Sequence, residues 1–158
     1  MPAITAVLHT ENDALRLGRA LETLYPCDEI LIVDHGSRDA TIQVARHYGA
    51  RILAATNETD PDKYLRSRSG WVLYLDPRES LTESLAASLF EWKSEEVPAD
   101  GTGFSVFLRE ETFEGWVEHP SAQTRLVPAT WKHWAGRFPA ADSSAVALEG
   151  DLLRFAFP

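Results

Sequence analysis

The sequence predicts an α/β fold with a mainly parallel sheet flanked by helices and with mixed strands in its C-terminal third. Two observations lead to this prediction. Within the first 92 residues, short apolar runs rich in branched side chains alternate with segments whose apolar residues recur at helical spacing. Beyond residue 103, apolar and polar residues alternate instead, which is typical of half-buried strands.

The first predicted unit is a strand followed by a helix. Residues 4–8 are apolar and branched enough for a buried strand. Thr10 or Asn12 is expected to cap the following helix, because both side chains accept hydrogen bonds from backbone amides. Pro26 ends that helix. Its apolar stripe consists of Leu17, Leu21, Leu24 and Tyr25.

The second unit repeats this order. Glu29–Asp34 contains four consecutive branched or large apolar residues and is the clearest strand. Asp39 is expected to cap a helix over residues 40–48, and Gly49 provides the usual C-terminal glycine. Arg51–Ala54 follows as a third short strand.

The third unit begins after a polar connector, residues 55–70, in which we expect one short helix over residues 62–69. Trp71–Leu75 is predicted to be the fourth strand. The S-x-x-E string at residues 80–83 matches a capping box and predicts a helix over residues 81–92. This helix would bury Leu81, Leu85, Leu89 and Trp92.

The C-terminal third follows an acidic connector, residues 93–102. A strand is predicted from Phe104 onward, with further short strands near residues 114–117, 123–127 and 152–157. No internal repeat is visible, so we expect one domain spanning residues 1–158.

Composition limits the function. The formal net charge is −9, which argues against a nucleic-acid partner because phosphate binding needs clustered Lys and Arg. The single cysteine, Cys27, excludes an intrachain disulfide and fits a reducing compartment. No apolar run approaches the roughly 20 residues of a membrane span. We therefore expect no transmembrane segment and a cytoplasmic location.

Polar residues cluster where the predicted parallel strands end. In such sheets, ligands bind beyond the carboxyl ends of the strands. These ends are residues 10–12, 34–39 and 76–79, and each contains at least one carboxylate. They define the candidate site.

Four strings in this region resemble one family. They read T-E-N after the first strand, V-D-H-G-S-R-D-A-T after the second, A-R-H-Y-G-A-R at the end of the second helix, and W-V-L-Y-L-D-P-R-E around the fourth strand. This pattern resembles family 2 glycosyltransferases with the GT-A fold, particularly the lipopolysaccharide-core-like branch. The resemblance covers residues 3–92 and is weaker at residues 115–117 and 123–126. It implies a nucleotide-binding half, residues 1–92, and a remnant acceptor half, residues 103–158.

The resemblance implies contacts to a nucleotide sugar such as a UDP-sugar. The corresponding residues are Thr10, Glu11, Asn12, Asp34, Gly36 and Ser37. A carboxylate at a strand end can accept hydrogen bonds from a base or a ribose hydroxyl. The alternative for Asp34 is a turn aspartate that binds backbone amides, and Ser37 and Asp39 stand where helix capping alone would place them. His35 replaces the small residue usual in the family and either stacks on a base or has no role.

The family motif for a divalent cation, acid-any-acid, is altered. The resemblance implies Mg²⁺ or Mn²⁺ over the diphosphate, but here the string is Asp76-Pro77-Arg78-Glu79. Three alternatives remain open. Arg78 binds the diphosphate without a metal, or Asp76 and Glu79 still hold a metal, or Arg78 pairs with one of the two acids.

The base that would deprotonate the acceptor is also altered. Ser121 and the region around Pro139 lack the acids usual in the family. Glu118, His119 and Asp142 are possible substitutes, and Glu118-His119 is the best local candidate for acid-base work, with an ordinary surface pair as its alternative. Arg125 either binds a diphosphate or forms a structural ion pair. Arg66 or Arg68 is a candidate for a donor-binding arginine.

Two functions follow. The first is a glycosyltransferase of cell-envelope glycan synthesis, with Asp76, Arg78, Glu79 and Glu118 as catalytic candidates and a glycan or lipid-linked acceptor. The second is a catalytically inactive relative that serves in binding or assembly. The first requires an open cleft lined by Asp34 and Asp76.

Overall fold

The structure is a computed structural model that describes residues 2–56, 61–65, 70–95 and 101–158. The elements of the first part are β1 (Ile4–Thr10), α1 (Ala14–Glu22), β2 (Glu29–Asp34), α2 (Thr41–His47), β3 (Arg51–Ala54), α3 (Pro61–Tyr64), β4 (Trp71–Leu75), β5 (Glu79–Leu81) and α4 (Glu83–Ser94). Those of the second part are β6 (Phe104–Thr112), β7 (Gly115–Glu118), β8 (Gln123–Pro128), β9 (Trp134–Ala135), β10 (Phe138–Pro139) and β11 (Val146–Arg154).

Within these ranges, nine strands form one sheet. Eight follow the order β3-β2-β1-β4-β8-β6-β11-β5, and β7 pairs with β6 beside that path. Strands β3, β2, β1 and β4 are mutually parallel. β8 is antiparallel to both β4 and β6, so β6 and its parallel neighbour β11 run in the same direction as β4. β9 and β10 form a separate hairpin. The predicted α/β class with a mainly parallel sheet and mixed C-terminal strands is confirmed.

The strand order reverses beside β1. The chain places β2 and then β3 on one side of β1, and returns with β4 on the other side. In an open α/β sheet, such a reversal leaves a crevice at the carboxyl ends of the two diverging strands, and ligands bind there. The crevice of this protein therefore lies between the ends of β1 and β4.

The sheet is covered by apolar side chains on both faces. On one face, the buried leucines of α1 and α4 pack against residues such as Ile4 and Leu73, with Trp71, Trp92 and Phe104 in edge-to-face contact. On the other face, Tyr74 packs with Trp131 and neighbouring valines. The residues of the predicted stripes are buried except for Tyr25, whose surface is 60% exposed, although Leu24 follows α1 and Leu81 precedes α4.

The start of α4 differs from the capping-box prediction. Ser80 and Leu81 belong to β5, which pairs with β11 at the sheet edge, so they are not available to begin a helix. Thr82 is the N-cap, and its Oγ1 accepts a hydrogen bond from Leu85 N at 3.2 Å. The prediction from the S-x-x-E string is wrong because tertiary pairing overrides the local signal.

The start of α1 also differs. Asn12 adopts a left-handed backbone conformation with φ 53°, and Asp13 occupies the N-cap without a capping hydrogen bond from its side chain. Asp39 accepts hydrogen bonds from Ala14 N at 3.2 Å and from Thr41 N at 3.0 Å. One carboxylate therefore serves the first turns of both α1 and α2.

The last predicted strand, residues 152–157, is shifted. β11 spans Val146–Arg154 and contains an irregularity between Ala147 and Asp151. Arg66, Arg68 and the second half of the helix expected over residues 62–69 lie outside the described residues. No helix in the part of the chain that the structure describes is long and apolar enough to cross a membrane.

Candidate active site

The loops after β1 and β2 are joined by the carboxylate of Asp34, which is 5% exposed. Its Oδ1 accepts hydrogen bonds from Thr10 Oγ1 at 2.7 Å and Ser37 Oγ at 2.6 Å, and its Oδ2 accepts one from Ser37 N at 2.9 Å. Burial raises the pKa of Asp34, but these hydrogen bonds outweigh it and hold the pKa below its ordinary value. Asp34 therefore organises the loop while ionised.

Asn12 locks the same two loops together. Its backbone N–H donates to Ser37 Oγ at 2.9 Å, and its side-chain Oδ1 accepts from Arg38 N at 2.8 Å. Glu11 is exposed beside it, and Gly36 has φ 76° with no atom within 4 Å of an added Cβ. These two residues leave an open surface above the ends of β1 and β2.

The turn after β4 contains a pair between Asp76 and Arg78. Asp76 Oδ1 accepts from both the backbone N and the Nε of Arg78 at 2.9 Å, and Oδ2 accepts from Nη2 at 3.3 Å. Burial raises the pKa of Asp76, but the hydrogen bonds from Arg78 lower it below its ordinary value overall. Of the three alternatives for Arg78, the structure shows the pair with Asp76.

Glu79 faces the protein interior and is fully buried. Arg125, 2% exposed, donates to its Oε1 at 2.7 Å and to its Oε2 at 2.9 Å. Arg154 donates to Oε2 from Nε at 3.1 Å and from Nη2 at 2.9 Å, and Asp76 N donates to Oε1 at 2.8 Å. Burial raises the pKa of Glu79, and the bonds from Arg125 lower it by more, so the carboxylate is ionised.

This arrangement corrects the expectation that Glu79 faces a ligand. Both of its oxygens are occupied by arginines, so it is neither an open metal ligand nor a group that can touch a substrate. Arg125 is held in a structural ion pair, which was one of its two alternatives, and it also donates to Gln123 Oε1 at 2.8 Å. Glu79 instead ties the turn after β4 to β8 and β11.

The donor set does not fit a divalent cation. Mg²⁺ and Mn²⁺ need several free oxygen ligands, but the Asp76 carboxylate is bound by Arg78 and the Glu79 carboxylate by Arg125 and Arg154. Within the described ranges, no group of three or more His, Cys, Asp or Glu residues is arranged to hold a metal ion.

A pocket of about 60 Å³ lies in the crevice between β1 and β4. Its walls are His9, Tyr74, Leu75, Asp76, Pro77, Arg137 and Phe138. The β9–β10 hairpin forms the outer wall, since Trp134 packs edge-on against Tyr74 at 5.2 Å and the Phe138 ring lies 4.5 Å from the Arg125 guanidinium carbon. The expected cleft is therefore narrowed, and Asp76 lines it whereas Asp34 does not.

Two histidines and an arginine connect the pocket to the β2 loop. His9 Nδ1 lies 2.8 Å from His35 Nε2, and Arg137 Nη2 lies 3.5 Å from His35 Nδ1. Burial, and then the charges of its neighbours His35 and Arg137, lower the pKa of His9 to about 4. Burial followed by Arg137 lowers the pKa of His35 as well. Both histidines are therefore neutral at pH 7.

Sequence reasoning missed this cluster. His9 stands at the end of β1 and His35 directly after β2, and these adjacent parallel strands pair with Thr10 opposite Asp34. The register pairs His9 with Val33, so His35 lies only two positions further along the adjacent strand end, where its ring reaches His9. The strand register carries no such signal for Arg137, because this residue lies 102 residues from His35 in the chain.

Glu118 lies in β7, where it is exposed and pairs in register with Arg109 of β6. Because β6 points the same way as β4 and β7 pairs with the end of β6, Glu118 lies at the end of the sheet that contains the pocket. It does not line the pocket. Asp142, the other acid considered, accepts hydrogen bonds from Ser144 N at 2.9 Å and Ser144 Oγ at 2.7 Å.

Comparisons with known proteins find distant relatives. No family model matches the chain. An uncharacterized glycosyltransferase from Rickettsia felis is 29% identical over 90 residues, which is 54% of this chain and 32% of that protein. A 4,4'-diaponeurosporenoate glycosyltransferase from Staphylococcus aureus is 31% identical over 71 residues, which is 42% of this chain and 19% of that protein. The matched region spans about a third of the Rickettsia relative and a fifth of the Staphylococcus relative. The chain is thus glycosyltransferase-like over part of its length.

Two solved structures show partial similarity. S. aureus TarS, residues 1–349, aligns with 80% of this chain and 47% of its own at a TM-score of 0.47 and 17% identity. Glucosyl-3-phosphoglycerate synthase from Mycobacterium tuberculosis, in complex with Mn²⁺, UDP and phosphoglyceric acid, aligns with 69% of this chain and 43% of its own at a TM-score of 0.45 and 19% identity.

Proposed function

We propose that this chain is a GT-A-like, glycosyltransferase-like domain that binds a nucleotide sugar, such as a UDP-sugar, at the crevice between β1 and β4. The observation that carries this proposal is the reversal of strand order at β1, with a pocket at that reversal. The sequence similarity to named glycosyltransferases supports the same class of ligand.

In this proposal the nucleoside lies over the open surface beside Glu11 and Gly36, with Thr10, Asn12, Asp34 and Ser37 shaping the loops beneath it. Residues 1–92 form the nucleotide-binding half and residues 103–158 the remnant acceptor half of one domain. We place the protein in the lipopolysaccharide-core-like branch, acting on a glycan or lipid-linked acceptor of the cell envelope in the cytoplasm. Because the carboxylates are bound by arginines, donor binding proceeds without Mg²⁺ or Mn²⁺.

Transfer would require a base for the acceptor hydroxyl, and we propose Glu118 for that role. Its carboxylate is exposed at the pocket end of the sheet, where an acceptor would approach.

A second candidate function is a non-catalytic binding or assembly protein of the same family. The observation that favours it is the engagement of Asp76 and Glu79 with arginines.

Calorimetric titration with UDP, UDP-sugars and other nucleotide sugars, with and without Mn²⁺, tests ligand binding. We expect binding without Mn²⁺, weakened roughly 10-fold in Glu11→Gln because a hydrogen bond to a charged acceptor is lost. Glu91→Gln, an exposed site on α4, is the matched control and leaves affinity unchanged. An absence of binding by any nucleotide at millimolar concentration would remove the proposal.

Transfer is tested separately from binding. If the protein is an enzyme with Glu118 as its base, Glu118→Gln lowers release of UDP from a UDP-sugar and leaves affinity unchanged. Glu114→Gln, at an exposed position of the same hairpin, is the control. Binding of the nucleotide sugar without turnover in any acceptor mixture supports the non-catalytic candidate instead.

A further inference from the structure

We propose that Arg137, together with the His35–His9 pair, forms an anion site that holds the diphosphate of the nucleotide sugar in place of a metal ion. This inference rests on the proposed function and assigns the diphosphate to residues that carry no such role in the sequence pattern. Three features of the molecule support it: the free charge at the pocket, the hydrogen-bond directions in the histidine pair, and the size of the pocket.

The free positive charge at the pocket belongs to Arg137 and not to Arg78. Arg78 donates to both oxygens of Asp76, so binding a phosphate would require breaking that pair. Arg137 is exposed, lines the pocket, and has no carboxylate partner among the residues that the structure describes. Its contact is the ring nitrogen of His35 at 3.5 Å. A guanidinium without a carboxylate partner is suited to phosphate oxygens, which it binds in bidentate fashion.

The directions of the hydrogen bonds follow from chemistry. Arginine has only donors, so His35 Nδ1 accepts from Arg137 and carries no proton. The proton of neutral His35 is then on Nε2, which donates to His9 Nδ1 at 2.8 Å. The proton of neutral His9 is consequently on its own Nε2. The chain of bonds from Arg137 through His35 thus makes His9 a donor.

That last donor lacks an acceptor. His9 Nε2 is buried and has no hydrogen-bond partner within the described ranges, although the ring lines the pocket. A buried N–H without an acceptor is unfavourable, and most buried donors in proteins are paired. A phosphoryl oxygen in the pocket would supply the acceptor, while Arg137 at the outer wall neutralises the charge.

The size of the pocket matches this assignment. Its volume of about 60 Å³ is several times the roughly 10–15 Å³ that one ordered water needs. The pocket is therefore better matched to a phosphoryl group than to a whole nucleotide. The nucleoside must then lie outside, over the open surface beside Glu11 and Gly36.

The test is calorimetry on the full chain in the presence of EDTA, with UDP, uridine and inorganic diphosphate as three probes. We expect Arg137→Gln to lower the affinity for UDP and for diphosphate by about 10-fold or more, because a charge-assisted hydrogen bond is lost, and to leave the affinity for uridine unchanged. Arg46→Gln, at an exposed site in the last turn of α2, is the matched control and changes UDP affinity less than 3-fold. Thermal unfolding of each variant confirms that it is folded.

The outcomes separate the two proposals. UDP binding that is unaffected in Arg137→Gln, or that requires Mn²⁺, overturns this inference and leaves nucleotide binding intact. If diphosphate binding depends on Arg137 but UDP binds no more tightly than diphosphate, the result supports the anion site and counts against the proposed function. Nitrogen-detected NMR of the histidine rings supplies a test without ligand, because a proton on His9 Nδ1 would contradict the chain of bonds.

Discussion

Replacement of Glu79 by Gln tests whether the turn after β4 depends on a buried ion pair. The substitution keeps the shape of the side chain but removes the charge that neutralises Arg125, whose exposed fraction is 2%. In the native protein, arginine N–H groups donate to both Oε1 and Oε2 of Glu79. In the variant, the amide NH₂ replaces one of these oxygens, so two donors face each other. Leaving a buried charge without its partner lowers the free energy of unfolding by about 3–5 kcal/mol.

Urea denaturation followed by tryptophan fluorescence measures this loss. With a denaturant slope of about 2 kcal/mol per molar urea, the midpoint of Glu79→Gln should fall by roughly 2 M. The control is Arg78→Gln, which breaks a pair whose side chains are 44% and 24% exposed and which should lower stability by about 0–1 kcal/mol. Equal, small losses in both variants would refute the buried-pair reasoning.

The pH dependence provides a second measurement of the same carboxylate. Because the pKa of Glu79 is lower in the folded protein than its ordinary value of 4.5, its contribution is fully present above pH 4.5. It is lost as the pH falls through the lower folded-state pKa, where the native carboxylate becomes protonated. The difference in unfolding free energy between the native protein and Glu79→Gln should therefore narrow under acid conditions.

Three further predictions concern the scaffold. His9 has a pKa of about 4 when folded and 6.5 when unfolded, so the unfolding free energy should fall as the pH drops from 6.5 to 4, and His9→Gln should reduce this slope in urea titrations. Gly150→Ala places a Cβ 2.4 Å from Leu85 N at φ 95°, which should cost about 3 kcal/mol or more. Gly115→Ala, at φ 112° with no atom within 4 Å, should cost only about 1–2 kcal/mol in the same assay. Thr82→Ala removes the N-cap of α4 and should cost about 1–2 kcal/mol, while Thr82→Ser restores most of it.

The strands β2, β3 and β4 could be predicted to the residue because each is a short apolar run between turn residues. Parallel strands that the sheet buries, such as β2 and β4, need continuous apolar sequence, and that signal is local. The short edge strand β5 had no such signal. Ser80 and Leu81 are held by β11, about 70 residues later, so only the folded sheet shows that the local capping pattern is not used.

The site was predictable in location but not in the state of its side chains. The carboxyl ends of β1, β2 and β4 follow from the strand order, and they do meet. Whether Glu79 faced a ligand depended on Arg125 and Arg154, which are 46 and 75 residues away. A sequence pattern shows that an acid is present, but it does not show which distant arginine forms an ion pair with that acid.

The charge at the pocket follows from these distant pairs. Among the residues that line it, the ionic side chains are Asp76 and Arg137. Arg78 neutralises Asp76, so the unbalanced charge at the pocket is the positive charge of Arg137, although the whole chain carries a formal charge of −9. A divalent-cation site needs an excess of carboxylates, and this pocket has the opposite sign. The arginine in the turn after β4 therefore acts indirectly: by binding Asp76, it leaves the pocket suited to an anion.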